Sequence, residues 1–512
     1  MSFFSARLGM ARHHHRRSDQ ASIFDDPDGV SRGVLLLACA VFVGSLIFGG
    51  GDGSLGDVAV QLLSLPLIVL AVAQWTCVRP RGSDWLAVSL IAGIVVLAGI
   101  QLVPLPLATW AGLPGRAELL AQLHQAGVVP AWTSLSLNPQ ATERALLWTL
   151  PAIAMFLAVR WMSSRQQNLM VLLLFVGAVL MTIMDVIFRS GDANADTSAA
   201  ALLAKAYQSE AGIATAKVAP VDTAMTGLFS NHNHFGTFLA MTLPLMIAVA
   251  LRLWLDRKRS RRKGTGAAMT LVGLAAVALL AAAFETHSRA ALLLGGLAML
   301  ASVTLLRGVG LRRQVLWMIA GGVATVIVVI AITAGSTALD RWGNGVDNDL
   351  RWNVHATTRD AARHFGTMGS GLGTFVQAYQ AVPPREGMLP AYVNRAHGDY
   401  HELWLETGIP GAILIAVFIL WLMWAANEAW TPPDPPATGS RRAEPVSARL
   451  LARAASLAIV LLLLHSYVEY PLRKTAILAL FGFCCGLLAK GGAVSPASVA
   501  KGDAPAVGAD PA

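Results

Sequence analysis

The chain has 512 residues, 55% of them hydrophobic and only 13% charged, with a formal net charge of +9. Soluble domains carry roughly 25% charged residues, so this composition excludes an ordinary soluble protein and predicts one embedded in a membrane. The positive charge does not indicate a nucleic-acid-binding protein, because the Lys and Arg residues are concentrated in segments expected on one side of the membrane.

Apolar runs long enough, or nearly long enough, to cross a bilayer recur along the chain. A hydrocarbon core of about 30 Å takes about 20 residues of helix. The expected fold class is therefore an all-α polytopic membrane protein with about 12 transmembrane helices. The twelve runs are 34–50, 58–77, 85–103, 142–161, 168–188, 235–254, 267–285, 290–306, 315–334, 409–426, 454–469 and 474–489.

The positive-inside rule orients these runs. Residues 1–33 form a basic tail, and a dense group of Lys and Arg lies between residues 252 and 263, so both are expected in the cytoplasm. Residues 34–334 then hold helices 1–9 with their outer loops, and residues 335–408 form a large extracytoplasmic loop containing short helices. Residues 409–489 hold helices 10–12 with a Pro-rich cytoplasmic linker at 431–445, and 490–512 form a cytoplasmic tail.

The outer segments before residue 335 carry two groups of polar residues. Residues 227–236 include Asn231, His232 and Asn233 at the mouth of the sixth run. Adjacent residues point in different directions, so a hydrogen-bonding turn that caps this helix is favoured over a metal site. Arg289 lies in a tight hairpin near the outer surface, where it either reaches lipid headgroups or binds an anion such as a lipid phosphate.

The large loop carries arginines and a glycine run. Arg351, Arg359 and Arg363 lie near helical spacing and predict a basic stripe that faces an acidic substrate or headgroups. The glycines between 369 and 373 resemble a phosphate-binding loop only weakly, because no Lys follows and no strand precedes them. A turn that brings the backbone close to a helix accounts for them equally well.

Residues 395–411 concentrate charge just before an apolar run. Read as a helix, this stretch places Asp399, Glu402 and Glu406 on one face and makes His397 and His401 an i, i+4 pair. A surface helix whose charged face meets water is the simplest interpretation of this spacing. However, the last outer turn carries His465 and Arg473 as well, so the mixture of His, Arg and carboxylates lies on the outer side and any chemistry is expected there.

Several motifs together resemble the O-antigen ligase-like and polysaccharide polymerase-like membrane glycosyltransferases of bacteria. The resemblance covers roughly residues 100–490. Its motifs are Pro104-Leu105-Pro106 with Ser136-Leu137-Asn138-Pro139, residues 227–236, Ser288-Arg289, Gly371-Leu372-Gly373-Thr374-Phe375 with Tyr379, residues 397–411 and residues 465–473. The chain departs from the family at Gly398, where Asn or Ser is usual, and at His401, where an aliphatic residue is usual.

The resemblance implies transfer of a glycan, without a metal or other cofactor, from a polyprenyl diphosphate carrier to an acceptor hydroxyl of a glycan, lipid or protein. It places the reaction on the outer, periplasmic face of the bacterial inner membrane and so implies a role in polysaccharide or lipopolysaccharide synthesis. His397 fits the general base, with Asp399 or Glu402 as the orienting partner and His401 as the second candidate. Arg289 fits the diphosphate clamp, helped by Arg351, Arg359, Arg363 and Arg473.

Two other interpretations stay open. A repeat-unit polymerase of the same family uses another carrier-linked glycan as the acceptor, and the sequence does not separate it from a ligase. A transporter or lipid-carrier flippase would also have many spans. The sequence shows no internal repeat and almost no charged residues in the middle of the apolar runs, which disfavours a transporter.

Overall fold

The computed structural model describes residues 27–50, 55–75, 82–190, 225–259, 277–283, 285–286, 288–307, 350–383, 392–431 and 446–491. Helices dominate these ranges, as the composition predicts. They are, in chain order, α1 (Pro27–Phe48), α2 (Leu55–Trp75), α3 (Gly82–Leu102), α4 (Leu107–Ala111), α5 (Ala117–Gln125), α6 (Pro139–Leu147), α7 (Leu150–Trp161), α8 (Ser164–Ser190), α9 (His232–Arg259), α10 (Arg289–Val303), α11 (Leu350–Phe365), α12 (Phe375–Gln380), α13 (Asp399–Trp430), α14 (Val446–His465) and α15 (Thr475–Gly491).

The chain is a multi-pass membrane protein. Among the described residues, eight segments are long and apolar enough to cross a membrane: α1, α2, α3, α6 with α7, α8, α9, α10 with its last 3-10 turn, and α13. Helix α15 is a shorter apolar helix. The predicted run at 315–334 lies outside the described residues, and so does most of 267–285. The count of twelve stays a prediction.

Helix α13 is kinked where it enters its apolar part. Its 32 residues would extend about 48 Å, more than a bilayer core needs. Gly408 has non-helical angles (φ 55°, ψ −139°), and Pro410 follows it. Pro410 has no N–H to donate to the carbonyl oxygen of Glu406. The non-helical turn at Gly408 also breaks the helical hydrogen bond to the carbonyl oxygen of Leu405. The carbonyl groups of Leu405 and Glu406 are therefore left without their helical partners.

The glycine run satisfies these carbonyl groups. The amide of Ser370 donates to the Leu405 oxygen at 3.0 Å, and the amide of Gly371 donates to the Glu406 oxygen at 2.9 Å. A Cβ on Gly369 (φ 74°) would lie 2.5 Å from the Glu406 backbone. The run is thus a turn that packs its backbone on a kinked helix, which was one of the two interpretations of its sequence.

The segment after α3 folds back onto this turn. Strands β1 (Pro104–Pro106) and β2 (Trp132–Ser134) pair antiparallel, with Leu105 opposite Thr133. Arg116 is buried, and its guanidinium donates to the carbonyl oxygens of Leu135 (3.1 Å) and Gly369 (2.9 Å). Burial lowers the pKa of Arg116 to about 10, so the side chain stays charged at neutral pH. A second, smaller core then joins α11 and α12 to the first turns of α13 through Val354, Ala361, Phe365, Phe375 and Leu405.

Charged residues lie at both ends of the helices, and the two sets differ. At one end α9 and α13 begin, and the turn between α14 and α15 lies against the turn after α1: the amide of Ala476 donates to the Gly49 oxygen at 3.1 Å. Asp57, Asp399 and Glu469 lie at this end. At the opposite ends of the helices lie Arg252, Arg449, Arg453 and Lys490. The segments predicted to share the outer face therefore meet at one end of the helices.

Candidate functional site

The first two turns of α13 carry three buried carboxylates. Asp399, Glu402 and Glu406 lie on one helical face, as their spacing predicts, and are 6%, 0% and 0% exposed. The helix begins at Asp399 because Gly398 is extended, and the Asp399 amide donates to the carbonyl oxygens of Ser466 (2.8 Å) and Glu469 (3.2 Å). The simpler of the two interpretations, a charged face that meets water, is wrong, because neighbouring elements cover this face.

Arg473 neutralises two of these carboxylates. Its Nη2 lies 2.8 Å from Oε2 of Glu406, and its Nε lies 3.4 Å from Oε1 of Glu402. Arg395 adds a contact of 2.9 Å to Glu402. Burial alone would lower the pKa of Arg473, but the surrounding carboxylates raise it well above its ordinary value. Arg473 is therefore a fixed positive charge inside the protein, and carboxylates engage its Nε and Nη2.

Glu469 is the centre of a second ionic group. It follows α14 and is fully buried. Its Oε1 accepts from Nδ2 of Asn233 at 2.6 Å and lies 2.9 Å from Nη2 of Arg351. Burial would raise the pKa of Glu469, but the imidazole of His397 and the charge of Arg351 lower it to about 2. The carboxylate is thus ionised throughout the neutral range.

Two imidazole rings flank the other oxygen of Glu469. Its Oε2 lies 3.8 Å from Nδ1 of His397 and 3.7 Å from Nε2 of His234. Among the described residues, none of these three atoms has a hydrogen-bond partner, and both rings pack edge-on against Tyr470. Such distances shorten readily when a substrate binds, since catalytic hydrogen bonds are often long in its absence. This group can hold a proton on His397 or pass it on.

His397 combines an unusual backbone conformation with a partly exposed side chain. Its φ is +52°, a left-handed conformation that is uncommon outside glycine, and its side chain is 31% exposed. With Nδ1 turned toward Glu469, Nε2 is the nitrogen left to accept a proton from an acceptor hydroxyl. The structure places Glu469 beside His397, in the position expected for Asp399 or Glu402.

Asp399 and Glu402 have other partners. Ser466 Oγ donates to Oδ2 of Asp399 at 2.8 Å, and the amide of Leu472 donates to the same oxygen at 3.2 Å. The oxygens of Glu402 accept from Arg395 and from the amide of Ala396. Both carboxylates therefore hold the loop before α13 and the turn after α14 in place, which supports His397 indirectly.

The i, i+4 pairing of His397 with His401 is wrong, because His397 lies outside the helix. His401 stacks instead on His355 of α11, with ring centroids 4.1 Å apart and an interplanar angle of 13°. It also lies 5.8 Å from Tyr467. The two candidate bases thus have different surroundings, one ionic and one aromatic.

The remaining predicted residues divide between this site and the surface. The Asn231 side chain accepts from the Asn233 amide at 2.8 Å, so it caps α9 as expected, and His232 opens that helix. His465 is buried, with Nδ1 2.5 Å from Oγ1 of Thr237. Arg351 reaches the site, whereas Arg359 is exposed and Arg363 is exposed and paired with Asp360. The expected basic stripe is therefore split.

Arg289 starts α10 beside the site. Ser288 caps this helix by accepting from the Ala291 amide at 3.1 Å. A Cβ on Gly236, in the first turn of α9, would lie 2.2 Å from Cβ of Ala291. This contact holds the start of α10, and so the Arg289 backbone, against the start of α9, which carries Asn233 and His234. His287, which the sequence groups with Arg289, lies outside the described residues.

Sequence reasoning missed three buried groups of this site: Glu469, His234 and Lys474. Lys474 is fully buried, and its Nζ donates to Oγ of Ser230 at 2.9 Å. One signal pointed to Glu469, since it is the sole carboxylate between residues 446 and 491. A lone acid that ends an apolar run next to two cations is costly unless it is paired. Within the described residues, no group of three or more His, Cys, Asp or Glu is arranged to hold a metal ion.

The comparison with protein families supports the resemblance drawn from the motifs. Residues 274–416 match the family model Wzy_C, described as O-antigen ligase. This range includes Arg289, Arg351, His397 and the acidic turns of α13. No curated protein matches the chain significantly. The chain therefore contains a region similar to the O-antigen ligase family, while the motifs at 104–139, 227–236 and 465–473 lie outside the matched range.

Proposed function

We propose that this O-antigen ligase-like protein transfers a glycan from a polyprenyl diphosphate carrier to an acceptor hydroxyl. The observation that carries the proposal is the position of His397. It is a partly exposed imidazole backed by an ionised, buried carboxylate, and it lies within the residues that match the family model. A base oriented in this way suits removal of a proton from a sugar hydroxyl.

In the proposed reaction, the acceptor oxygen attacks the anomeric carbon of the donor glycan while the bond from that carbon to the diphosphate oxygen breaks. The acceptor proton moves to Nε2 of His397. Glu469 holds Nδ1 and stabilises the imidazolium that forms, as a carboxylate does behind a catalytic histidine in hydrolases. The products are the new glycoside and the carrier diphosphate.

The leaving diphosphate gains negative charge and needs cations. Arg351 is 34% exposed at the edge of the site, and Arg289 begins α10 next to the first turn of α9. A guanidinium can bind phosphate oxygens through two parallel donors and so stabilise this charge. Arg473, which the sequence also suggested, is engaged by Glu402 and Glu406 and is better suited to holding the site together.

The site is proposed to face the periplasm of the bacterial inner membrane. The reasons are the basic residues at the opposite ends of the helices, among them Arg252, Arg449 and Lys490, and the positive-inside rule. The buried carboxylates of the site lie at one end of the helices rather than near mid-membrane, which disfavours a transporter.

Reconstitution of the purified protein in liposomes with a carrier-linked oligosaccharide tests the proposal. A ligase moves the whole glycan to a separate acceptor, a polymerase lengthens the carrier-linked glycan, and a flippase moves the carrier without covalent change. His397→Ala serves as the matched inactive protein. Carrier movement without any new glycosidic bond would overturn the proposal.

A further inference from the structure

One contact fixes the backbone of the candidate base from the large loop. The ring Nε2 of His355, on α11, lies 2.9 Å from the carbonyl oxygen of His397. A carbonyl oxygen only accepts, so Nε2 must carry the proton. His355 is 2% exposed, and this bond crosses from one helix to the residue that precedes another.

The contact acts where the backbone is least stable by itself. A left-handed conformation costs a non-glycine residue roughly 1 kcal/mol or more, and His397 holds it at φ +52°. On the far side of the loop, the Asp399 amide is held by the carbonyl groups of Ser466 and Glu469. The hydrogen bond from His355 holds the carbonyl oxygen of His397, on the other side of Gly398. Together they fix the direction in which the His397 ring leaves the chain.

The ring of His355 is itself held in place. It stacks on His401 with centroids 4.1 Å apart and meets Trp352 edge-on at 5.8 Å. A Cβ on Gly398 would lie 3.3 Å from Nε2 of His355 and 2.9 Å from Nδ1 of His401. The two rings therefore pack directly against the backbone at 398, which explains glycine at this position.

We infer that His355 is a positioning residue for His397, acting through the hydrogen bond from its Nε2 to the His397 carbonyl oxygen. The inference rests on the proposed function for its catalytic consequence, but not for its structural one. Burial lowers the pKa of His355, so the ring is neutral at neutral pH and its single N–H is committed to this bond. The stack with His401, in the first turn of α13, holds the His355 ring in this orientation.

Two variants separate the hydrogen bond from the ring. His355→Phe keeps a ring for the stack but has no donor. His355→Gln has a side-chain N–H at nearly the reach of Nε2 but has no ring. His364→Phe is the matched control, because His364 lies on the same helix and packs against Phe365. If His355→Phe fails to fold, His355→Met, which also lacks a donor, replaces it.

Two readouts are measured on the full-length protein in detergent. The first is the rate at which diethyl pyrocarbonate modifies His397, followed by mass spectrometry of its peptide. The second is kcat and acceptor KM in the transfer assay. We expect His355→Phe to change the His397 modification rate at least threefold and to lower kcat at least tenfold, with acceptor KM within twofold of wild type. His355→Gln should stay within threefold of wild type in both readouts, and His364→Phe should be unchanged.

The outcomes distinguish the two claims. If His355→Phe matches wild type in both readouts, or if His355→Gln loses as much as His355→Phe, the positioning role is overturned. If the wild-type protein transfers no glycan but His355→Phe alone alters the modification of His397, the proposed function fails while the positioning role stands.

Discussion

Oε2 of Glu469 lies 3.8 Å from Nδ1 of His397, although α13 and α14 separate the two residues along the chain. This pairing gives the histidine a buried negative charge whose own partners, Asn233 and Arg351, hold its other oxygen. A carboxylate fixed in this way can set the tautomer of the imidazole and stabilise its charged form.

Glu469→Gln tests the pairing. The amide has nearly the same shape but no charge, so it cannot stabilise the imidazolium. We expect kcat for transfer to fall by a factor on the order of 10², within the range of general-base effects, with the protein still folded. Glu118→Gln, an exposed change on α5, is the control. Wild-type kcat in Glu469→Gln would contradict the role of Glu469.

Glu469 also predicts a specific dependence of stability on pH. Its folded-state pKa of about 2 lies below the ordinary value of 4.5. Its contribution to stability is therefore present above pH 4.5 and is lost as the pH falls toward 2. Between pH 5 and 8 Glu469 stays ionised, so changes in transfer rate over that range must come from other groups. The difference in unfolding temperature between wild type and Glu469→Gln should shrink as the pH falls from 4.5 toward 2.

His397→Ala and His401→Ala separate the two candidate bases. The ionic partner belongs to His397, and the aromatic stack belongs to His401. We expect His397→Ala to abolish transfer while carrier binding is kept, and His401→Ala to lower transfer less than tenfold. The reverse order in a reconstituted assay would make His401 the base.

Much of this site follows from local spacing, and the rest depends on contacts between distant segments. The shared face of Asp399, Glu402 and Glu406 follows from helical periodicity, and the cap at Asn231 follows from residue type. The failed pairing of His397 with His401 has a local cause. Gly398 is extended and His397 is left-handed, so the helix starts two residues later than the pairing requires. Periodicity does not reveal where a helix begins.

The partner of His397 was beyond local reasoning. Glu469 lies in a different turn, and nothing in the spacing of residues 395–411 indicates which turn packs against them. The same is true of His355, whose bond to His397 crosses from the large loop. The apolar pattern of a segment predicts its helix, because that pattern depends on the segment alone. A buried ionic contact depends on which helices pack together, so the spacing within one segment does not predict it.

Arg289→Lys tests the diphosphate clamp. A lysine keeps the charge but cannot make the two parallel hydrogen bonds of a guanidinium to phosphate. We expect at least a tenfold loss of transfer, with the protein folded and inserted. Arg363→Lys, which changes an exposed arginine paired with Asp360, should keep wild-type transfer. If Arg289→Ala also keeps full activity, Arg289 is an anchor for lipid headgroups.

Arg473→Met tests whether this buried arginine holds the site together. The change leaves Glu406 without its ionic partner and Glu402 with Arg395 alone. Removing one partner of a buried ion pair typically costs about 3–5 kcal/mol, so we expect a clear fall in the unfolding temperature in detergent. Arg363→Met, at a surface ion pair, should change stability by less than about 1 kcal/mol.

A combined variant decides what Arg473 does. If its role is to neutralise the two carboxylates, Arg473→Met with Glu402→Gln and Glu406→Gln should regain much of the lost stability, because no buried charge is then left unpaired. If Arg473→Met instead unfolds at the wild-type temperature but transfers no glycan, Arg473 binds the leaving diphosphate. The sequence placed it in that role, and Glu402 and Glu406 would then serve to hold it in position for the donor.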